Sequence, residues 1–353
     1  MKQTRFIVTA VAVTAMMLQA QQPVGAAGSE PTWGMTGTRV AIGANADADV
    51  AVFPDGSVRL YYQVIGRERN VVSLVSTDNG GTWTREPGNR ISNAAFPSLL
   101  QMPDKSWRMY IQTNIGMTTG IAYATSADGV TWQAPTSLVL TIGGEPYAID
   151  TVGGHSILRL KDGTYLMAYI GTAGQAGSLF WATSPDGIAW TKKGFVIDAR
   201  DEIALHHVGI DGAELVQWDD NTVKLYFRGF TGIEVVEYVN GAFTSPSQTV
   251  IRQVNGKYAI VPGDPTLGYY GGRWHLFHGM GPKSDSSQPD EGIYEASYVA
   301  PVQPAPVATA TPTASPKPSS AAPAPKKLIT CTKGKLTKKV ATAKCPAGWK
   351  PKK

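Results

Sequence analysis

The sequence is poor in the residues that most often carry chemistry. Its 353 residues include two cysteines, Cys331 and Cys345, both near the C-terminal end. The bulk of the chain therefore has no thiol nucleophile and no cysteine-built metal cluster. Only five histidines occur, and none stands at a histidine–carboxylate spacing that resembles a zinc motif. After Leu18 no stretch approaches the roughly 20 apolar residues that a membrane-spanning helix requires, so no later segment is expected to span a bilayer. The net charge of +5 is also misleading. Ten lysines and no acid follow residue 325, which leaves residues 27–300 acidic at roughly −8 and gives no reason to expect nucleic-acid binding there.

At the N-terminus, Lys2 and Arg5 flank an apolar run from Phe6 to Leu18, and small residues at Val24-Gly25-Ala26 suit a cleavage site. This pattern predicts an export signal over residues 1–26 and a secreted or cell-surface protein. Residues 27–300 are long enough for one all-β domain. Residues 301–325 are Pro, Ala, Thr and Ser with almost no large apolar side chain, and are expected to form a disordered stalk. Residues 326–353 form a lysine-rich tail, in which Cys331 and Cys345 are expected to close a small loop as a disulfide in an exported chain. Its charge suggests retention at an anionic cell-wall polymer; release of protein on deleting residues 326–353 is the readout.

The strongest signal is internal repetition. The stretches DADVAVFPDGSVRLYY (Asp47 to Tyr62), FPSLLQMPDKSWRMY (Phe96 to Tyr110), GHSILRLKDGTYLMAY (Gly154 to Tyr169), DGAELVQWDDNTVKLYF (Asp211 to Phe227) and DPTLGYYGGRWHLFH (Asp264 to His278) share one grammar. Each has an apolar run, a turn, and an alternating run ending in aromatics. Asp-Gly and related pairs permit the positive φ angles of tight hairpins, and period-two alternation buries one face of each strand. The turns begin at Asp55, Asp104, Asp162, Asp219 and Gly271, about fifty residues apart. A unit of this kind exposes apolar faces that only its neighbours can cover, so five copies predict a five-bladed β-propeller, with six blades as the alternative.

A second element recurs in phase with the first. Ser76 to Trp83 reads STDNGGTW, with shorter versions at Ser126 to Trp132 (SADGVTW) and Ser184 to Trp190 (SPDGIAW). These segments resemble the Asp-box of sialidase-like propellers, S-x-D-x-G-x-T-W. The shorter form is similar to that of five-bladed furanosidase-type glycoside hydrolases. Asp78, Asp128 and Asp186 are read as turn-building residues whose side chains satisfy backbone amides, with the Trp plugging between sheets.

Inner strands of a propeller converge on the axis, so their entry ends line a funnel. Counting back from each turn places Asp47, Phe96, Gly154, Asp211 and Asp264 at corresponding positions. Glycoside cleavage needs one carboxylate that activates water or attacks and one carboxylic acid that protonates the leaving oxygen. Asp47, Asp211 and Asp264 are accordingly the catalytic candidates; capping of strand ends by the same carboxylates is the competing reading. The resemblance to furanosidases implies an Asp base in the first blade, which Asp47 fits, a pKa-tuning Asp in the third and a Glu acid in the fourth. Here Gly154 and Asp211 occupy the latter two places, with Asp150 four residues before Gly154. Asp49, Asp150, His155, His207 and Glu214 are candidates for substrate contact, and Glu214, Glu145 and Glu202 are reserve candidates for the acid. His155 is expected near the axis, on substrate, on an axial cation or as a satisfied core residue. No other cofactor or metal is expected. Trp33, Tyr147 and Phe230 are candidates for sugar stacking.

Three functions follow. The first is a glycosidase, expected as a monomer, acting on an extracellular glycan. The second is a non-catalytic, lectin-like propeller. The third is an exo-sialidase, which would hold the substrate carboxylate with three arginines, the first in Arg-Ile-Pro; here Val40 and Ala41 follow Arg39.

Overall fold

The computed structural model describes residues 32–147, 149–174, 176–200, 209–218, 222–252, 262–280, 292–299, 328–341 and 344–352. The expected leader and stalk lie outside these residues, as does the turn at Asp219. The chain divides into two units, residues 1–301 and 302–353.

The first unit is built of five antiparallel sheets, one per sequence repeat. Strand β1 (Thr32–Ile42) stands apart in sequence from the sheet it joins. Blade 1 contains β2 (Asn45–Val52), β3 (Val58–Val64), β4 (Asn70–Ser76), β5 (Thr84–Arg85) and β6 (Ile91–Ser92). Blade 2 contains β7 (Ala94–Gln101), β8 (Trp107–Ile115), β9 (Thr118–Ser126) and β10 (Leu138–Leu140). Blade 3 runs through β11 (Thr151–Arg159), β12 (Tyr165–Ala173), β13 (Ala176–Ser184) and β14 (Thr191–Ile197). Blade 4 holds β15 (Asp211–Gln217), β16 (Val223–Arg228), β17 (Gly232–Val239), β18 (Ala242–Phe243) and β19 (Gln248–Arg252). Blade 5 has β20 (Pro262–Tyr270), β21 (Arg273–Met280) and β22 (Gly292–Val299), and β1 completes it as the outer strand, paired antiparallel to β22. The body thus closes by joining its two ends in one sheet, which removes a free edge.

The core lies between blades. Tyr61, Tyr110, Tyr169, Tyr226 and Phe277, on the second strand of each blade, are fully buried. The Ser-x-Asp turns fasten neighbouring blades together. In each, the serine hydroxyl accepts an amide hydrogen bond from the turn glycine: Gly80 to Ser76 at 2.8 Å, Gly129 to Ser126 at 2.8 Å and Gly187 to Ser184 at 2.9 Å. The aspartate accepts the amides of Thr82, Thr131 and Ala189. These bonds hold Asp78 and Asp128 at pKa values of about 2. The tryptophan that ends each turn then meets an aromatic of the preceding blade edge-on: Trp83 on Phe277 at 5.8 Å, Trp132 on Tyr61 at 6.2 Å and Trp190 on Tyr110 at 6.3 Å. Tyr61 and Tyr110 also donate their hydroxyls to the carbonyls of Gly129 and Gly187.

Gly129 has φ +73°, and a Cβ there would lie 2.2 Å from Phe53. Gly129→Ala is therefore expected to cost about 2–4 kcal/mol of stability through strain and overpacking at the blade 1–2 contact. Urea unfolding checks this; a loss below the few tenths typical of a surface change would remove the fastening role.

A ring of hydrogen bonds around the axis does the rest. In every blade the inner strand carries a bulge, and the residue two places beyond the bulge's positive-φ residue reaches the next blade. Asp49 accepts the amide of Leu99, Ser98 that of Ile157 at 3.1 Å, Ser156 that of Leu215 at 2.9 Å, Glu214 that of Leu267 at 3.3 Å, and Thr266 that of Val50 at 3.2 Å. The ring closes on itself after five steps, one side chain per blade. It satisfies a buried amide in each inner strand that blade-internal pairing leaves over.

The second unit is a three-stranded sheet in the order β24–β23–β25, from β23 (Ile329–Lys333), β24 (Leu336–Val340) and β25 (Lys350–Pro351). Cys331 and Cys345 form the expected disulfide, with Cα atoms 5.8 Å apart.

Candidate functional site

The repeated bulge positions the acidic groups. One residue per inner strand takes φ near +50°: Asp47, Phe96, Gly154, Gly212 and Asp264. Such an angle is costly for residues with a side chain. The extra residue turns the side chains at these positions toward the mouth of the axis. The fourth blade departs from the count made on the sequence. Gly212, not Asp211, is the counterpart of Asp47, and Asp211 sits one residue earlier, opposite Arg228 on β16. Fixed counting misses this because it starts from Asp219: Gly212 lies six residues before Trp218, whose amide bonds the Thr222 carbonyl, the same spacing as Asp47 to Phe53 and Gly154 to Leu160.

That shift decides where the carboxylate goes. A Cβ on Gly154 would lie 3.4 Å from Asp211 Oδ1, and a Cβ on Gly212 would lie 2.7 Å from Asp264 Oδ1. Asp211 thus leans over the glycine of blade 3, and Asp264 over the glycine of blade 4. The third-blade place, left without a carboxylate by Gly154, is approached by Asp211. Glycine at 154 and 212 meets both needs, a positive φ and room for the neighbouring acid.

Asp47, Asp211 and Asp264 come together from three blades, and each keeps part of its surface open to solvent. The carboxyls of Asp47 and Asp264 are hydrogen-bonded to one another, and Asp264 also accepts the Asp47 amide. Two carboxyl groups in contact must hold a proton between them. Burial, and then the charges of Asp264 and Asp211, push Asp47 well above the usual carboxylate range; Arg69 opposes this. Burial and then Asp211 raise Asp264 to about 7, against the pull of Arg228. Burial also raises Asp211, offset by the Gly212 amide, which bonds its Oδ1 at 2.9 Å, and by Arg228 and Arg69. Asp47 and Asp264 line a hollow together with Phe96, Pro97, His155, Ala213 and Glu214, with a volume of about 20 Å³, room for about one water molecule, and Asp211 stands beside its Gly154 wall.

The other sequence candidates separate. Asp49 and Glu214, expected at the substrate, are buried ring members whose carboxylates accept main-chain amides. Thr266 lies between them, 3.1 Å from Glu214 Oε1 and 3.4 Å from Asp49 Oδ1. Its single hydroxyl proton serves one of the two, so the pair favours holding a proton of its own. Burial raises Asp49 to about 7, and burial with the Asp49 charge raises Glu214 well above its usual range. Asp150 is exposed and accepts the Gly174 amide at 2.7 Å, outside the acidic trio. His155 lines the hollow, buried to 3% exposure, with no partner for either ring nitrogen; burial lowers it to about 4, so it is neutral. Glu145 is paired with Lys192 and accepts the amide of Gly143 at 2.6 Å. Trp33 and Tyr147 pack in the core, Tyr147 stacked on Phe195 at 5.9 Å, and Phe230 packs against a core cluster. His207 and Glu202 lie outside the described residues. Among the described residues no group of three His, Cys, Asp or Glu side chains is arranged to hold a metal ion.

The ring pairing and the recurrent bulge escaped the sequence reading. A polar residue two places beyond each positive-φ residue (Asp49, Ser98, Ser156, Glu214, Thr266) was the available signal.

Five raised carboxylates give stability a definite slope. In the folded state they hold protons that the unfolded chain releases near pH 4, so stability is full below that pH and declines as pH rises toward about 7. The turn aspartates act oppositely, losing their contribution below about pH 4. The melting temperature is expected to be highest near pH 4–5 and lower at pH 8. Asp49→Asn, which keeps an acceptor for Leu99, should flatten the decline; an unchanged slope in scanning calorimetry would count against the assignment.

By sequence, the chain matches no family model and no curated protein. Solved structures do match. A thermostable family-43 glycoside hydrolase aligns over 74% of this chain and 95% of its own, with a TM-score of 0.57 and 11% identity. The fold is that of family-43 glycoside hydrolase propellers. An endo-1,4-β-xylanase from Bacteroides thetaiotaomicron VPI-5482 aligns over 75% and 97%, TM-score 0.54, at 12% identity. An α-L-arabinofuranosidase from Lactobacillus brevis aligns over 72% and 90%, TM-score 0.52, at 9% identity. At these identities the likeness concerns backbone architecture.

Proposed function

We propose that this protein is a secreted glycosidase whose reaction is carried by Asp47, Asp211 and Asp264. The observation behind this reading is the meeting of three carboxyls from three blades at the axial mouth, two of them hydrogen-bonded to each other. Glycoside hydrolysis requires a proton donor and a charged carboxylate at the same site. The Asp47–Asp264 pair supplies the first, because it holds a proton near neutral pH. Asp211, bonded to the Gly212 amide and facing Arg228, supplies the second. This exchanges the roles suggested by the furanosidase resemblance, in which the first-blade Asp is the base. The pair is too close for its two members to act as separate acid and base, which need roughly 5–9.5 Å between them. It therefore acts as one proton-carrying unit. Donation to the leaving oxygen frees a carboxylate on the pair, while Asp211 activates water or attacks the sugar carbon. Reducing-end release from a panel of furanosides and pyranosides tests the reading, with a sialoside included to expose sialidase turnover.

A second reading, a lectin-like propeller, is favoured by Gly154, which leaves the third blade without a carboxylate of its own at the mouth. Saturable glycan binding without turnover, unaffected by Asp47→Asn, would select it.

A further inference from the structure

The axis has a second opening. Beyond the hydrogen-bonded ring, the far ends of the five inner strands enclose a hollow of about 300 Å³, within the range of small-molecule sites. It is some fifteen times larger than the hollow at the acidic mouth. Its walls are Val50, Leu100, Leu158 and Leu267, one from each of four inner strands and each at most 6% exposed. Gln217 of the fifth inner strand and the rings of Trp107 and Trp274 complete the lining. Gly268 widens it, since a Cβ there would lie 2.8 Å from Val50.

Among the described lining residues the charged side chains are of one sign. Lys105, Arg159 and Lys161 are exposed at its rim, and none of the described lining residues is acidic. This contrasts with the acidic body that carries it. Gln101 adds an amide nitrogen that is buried without a hydrogen-bond partner, so a donor is available at the wall. Residues 219–221 lie outside the described residues.

We infer that this hollow binds a small apolar carboxylate, with its hydrocarbon body among the leucines and its anionic end at Arg159 and Lys105. A neutral apolar ligand would leave the cations unused. A free sugar would leave most of its hydroxyls without partners against leucine and valine. The two ends of the axis are thereby assigned to different chemistries, and the ring of Asp49, Ser98, Ser156, Glu214 and Thr266 is the partition between them.

The test uses 2-naphthoate and its neutral analogue 2-naphthalenemethanol, titrated into the full chain by calorimetry and followed through tryptophan fluorescence. Saturable, submillimolar naphthoate binding is expected, with the neutral analogue about tenfold weaker. The double variant Arg159→Gln/Lys105→Gln should weaken naphthoate about tenfold and leave the alcohol unchanged. Val52→Phe, at a lining position that is 37% exposed, should narrow the entrance and weaken both. Circular dichroism melts confirm that each variant folds. Absence of saturable binding, equal affinity for alcohol and acid, or binding indifferent to Val52→Phe would each overturn the assignment. Glycan turnover is a separate readout that these variants are expected to leave intact, so failure here and failure of the glycosidase reading are distinguishable.

Discussion

Asp47→Asn is expected to lower glycoside turnover by about 10²–10⁴-fold, the usual contribution of general acid catalysis, while leaving the fold intact. The asparagine is isosteric and can still bond to Asp264, but it cannot deliver a proton to a leaving oxygen. Because the carboxyl it replaces is pushed far above its ordinary range by burial and by two neighbouring acids, the variant should also be more stable than the parent at pH 8. The coupling of those effects is diagnostic. A merely structural carboxyl would give the stability gain alone. Asp211→Asn should lower turnover as strongly, with a different pH profile, because it removes the charged partner rather than the proton. Activity would be read as release of reducing ends on whichever substrate the panel identifies. Full activity in Asp47→Asn would eliminate the proposed chemistry.

Thr266→Val is expected to cost about 2–4 kcal/mol, because one hydroxyl serves two buried partners. It accepts the Val50 amide at 3.2 Å and donates to the Glu214–Asp49 pair. Valine fills the same space and satisfies neither. The loss falls at the contact between the last inner strand and the first, where the ring closes. For a body of this size it corresponds to a melting temperature lower by roughly 5–15 °C. Thr266→Ser, which retains the hydroxyl, should stay within about 1 kcal/mol of the parent. Equal unfolding midpoints for the two variants in urea would show that packing of the threonine methyl, and not the ring, holds that seam.

The acidic mouth and the hydrogen-bonded ring draw on residues close together in sequence, and the sequence distinguishes their tasks poorly. Asp47 and Asp49 are two residues apart on one strand, and a strand places such residues on the same face. The bulge separates them. Asp47 takes the positive-φ position and turns to the mouth, while Asp49 resumes the regular pairing, opposite Tyr61, and reaches Leu99 of blade 2. The same device sends Asp211 toward the site and Glu214 into the ring.

What the chain order determined is local. Hairpin turns and two-residue alternation act over a few neighbours, so five repeats, their turns and the Ser-x-Asp elements are legible directly, and with them the architecture. The disulfide followed from there being only two cysteines. Tertiary structure alone decided the rest: that β1 closes blade 5, that each tryptophan of a turn docks on the blade before it, and that Thr266 bonds to Val50, 216 residues away. A repeat states what a blade needs internally. Which carboxylate meets another acid and which meets an amide depends on contacts between blades and on which residue takes the positive-φ place in each bulge, and no periodicity within a single repeat encodes either.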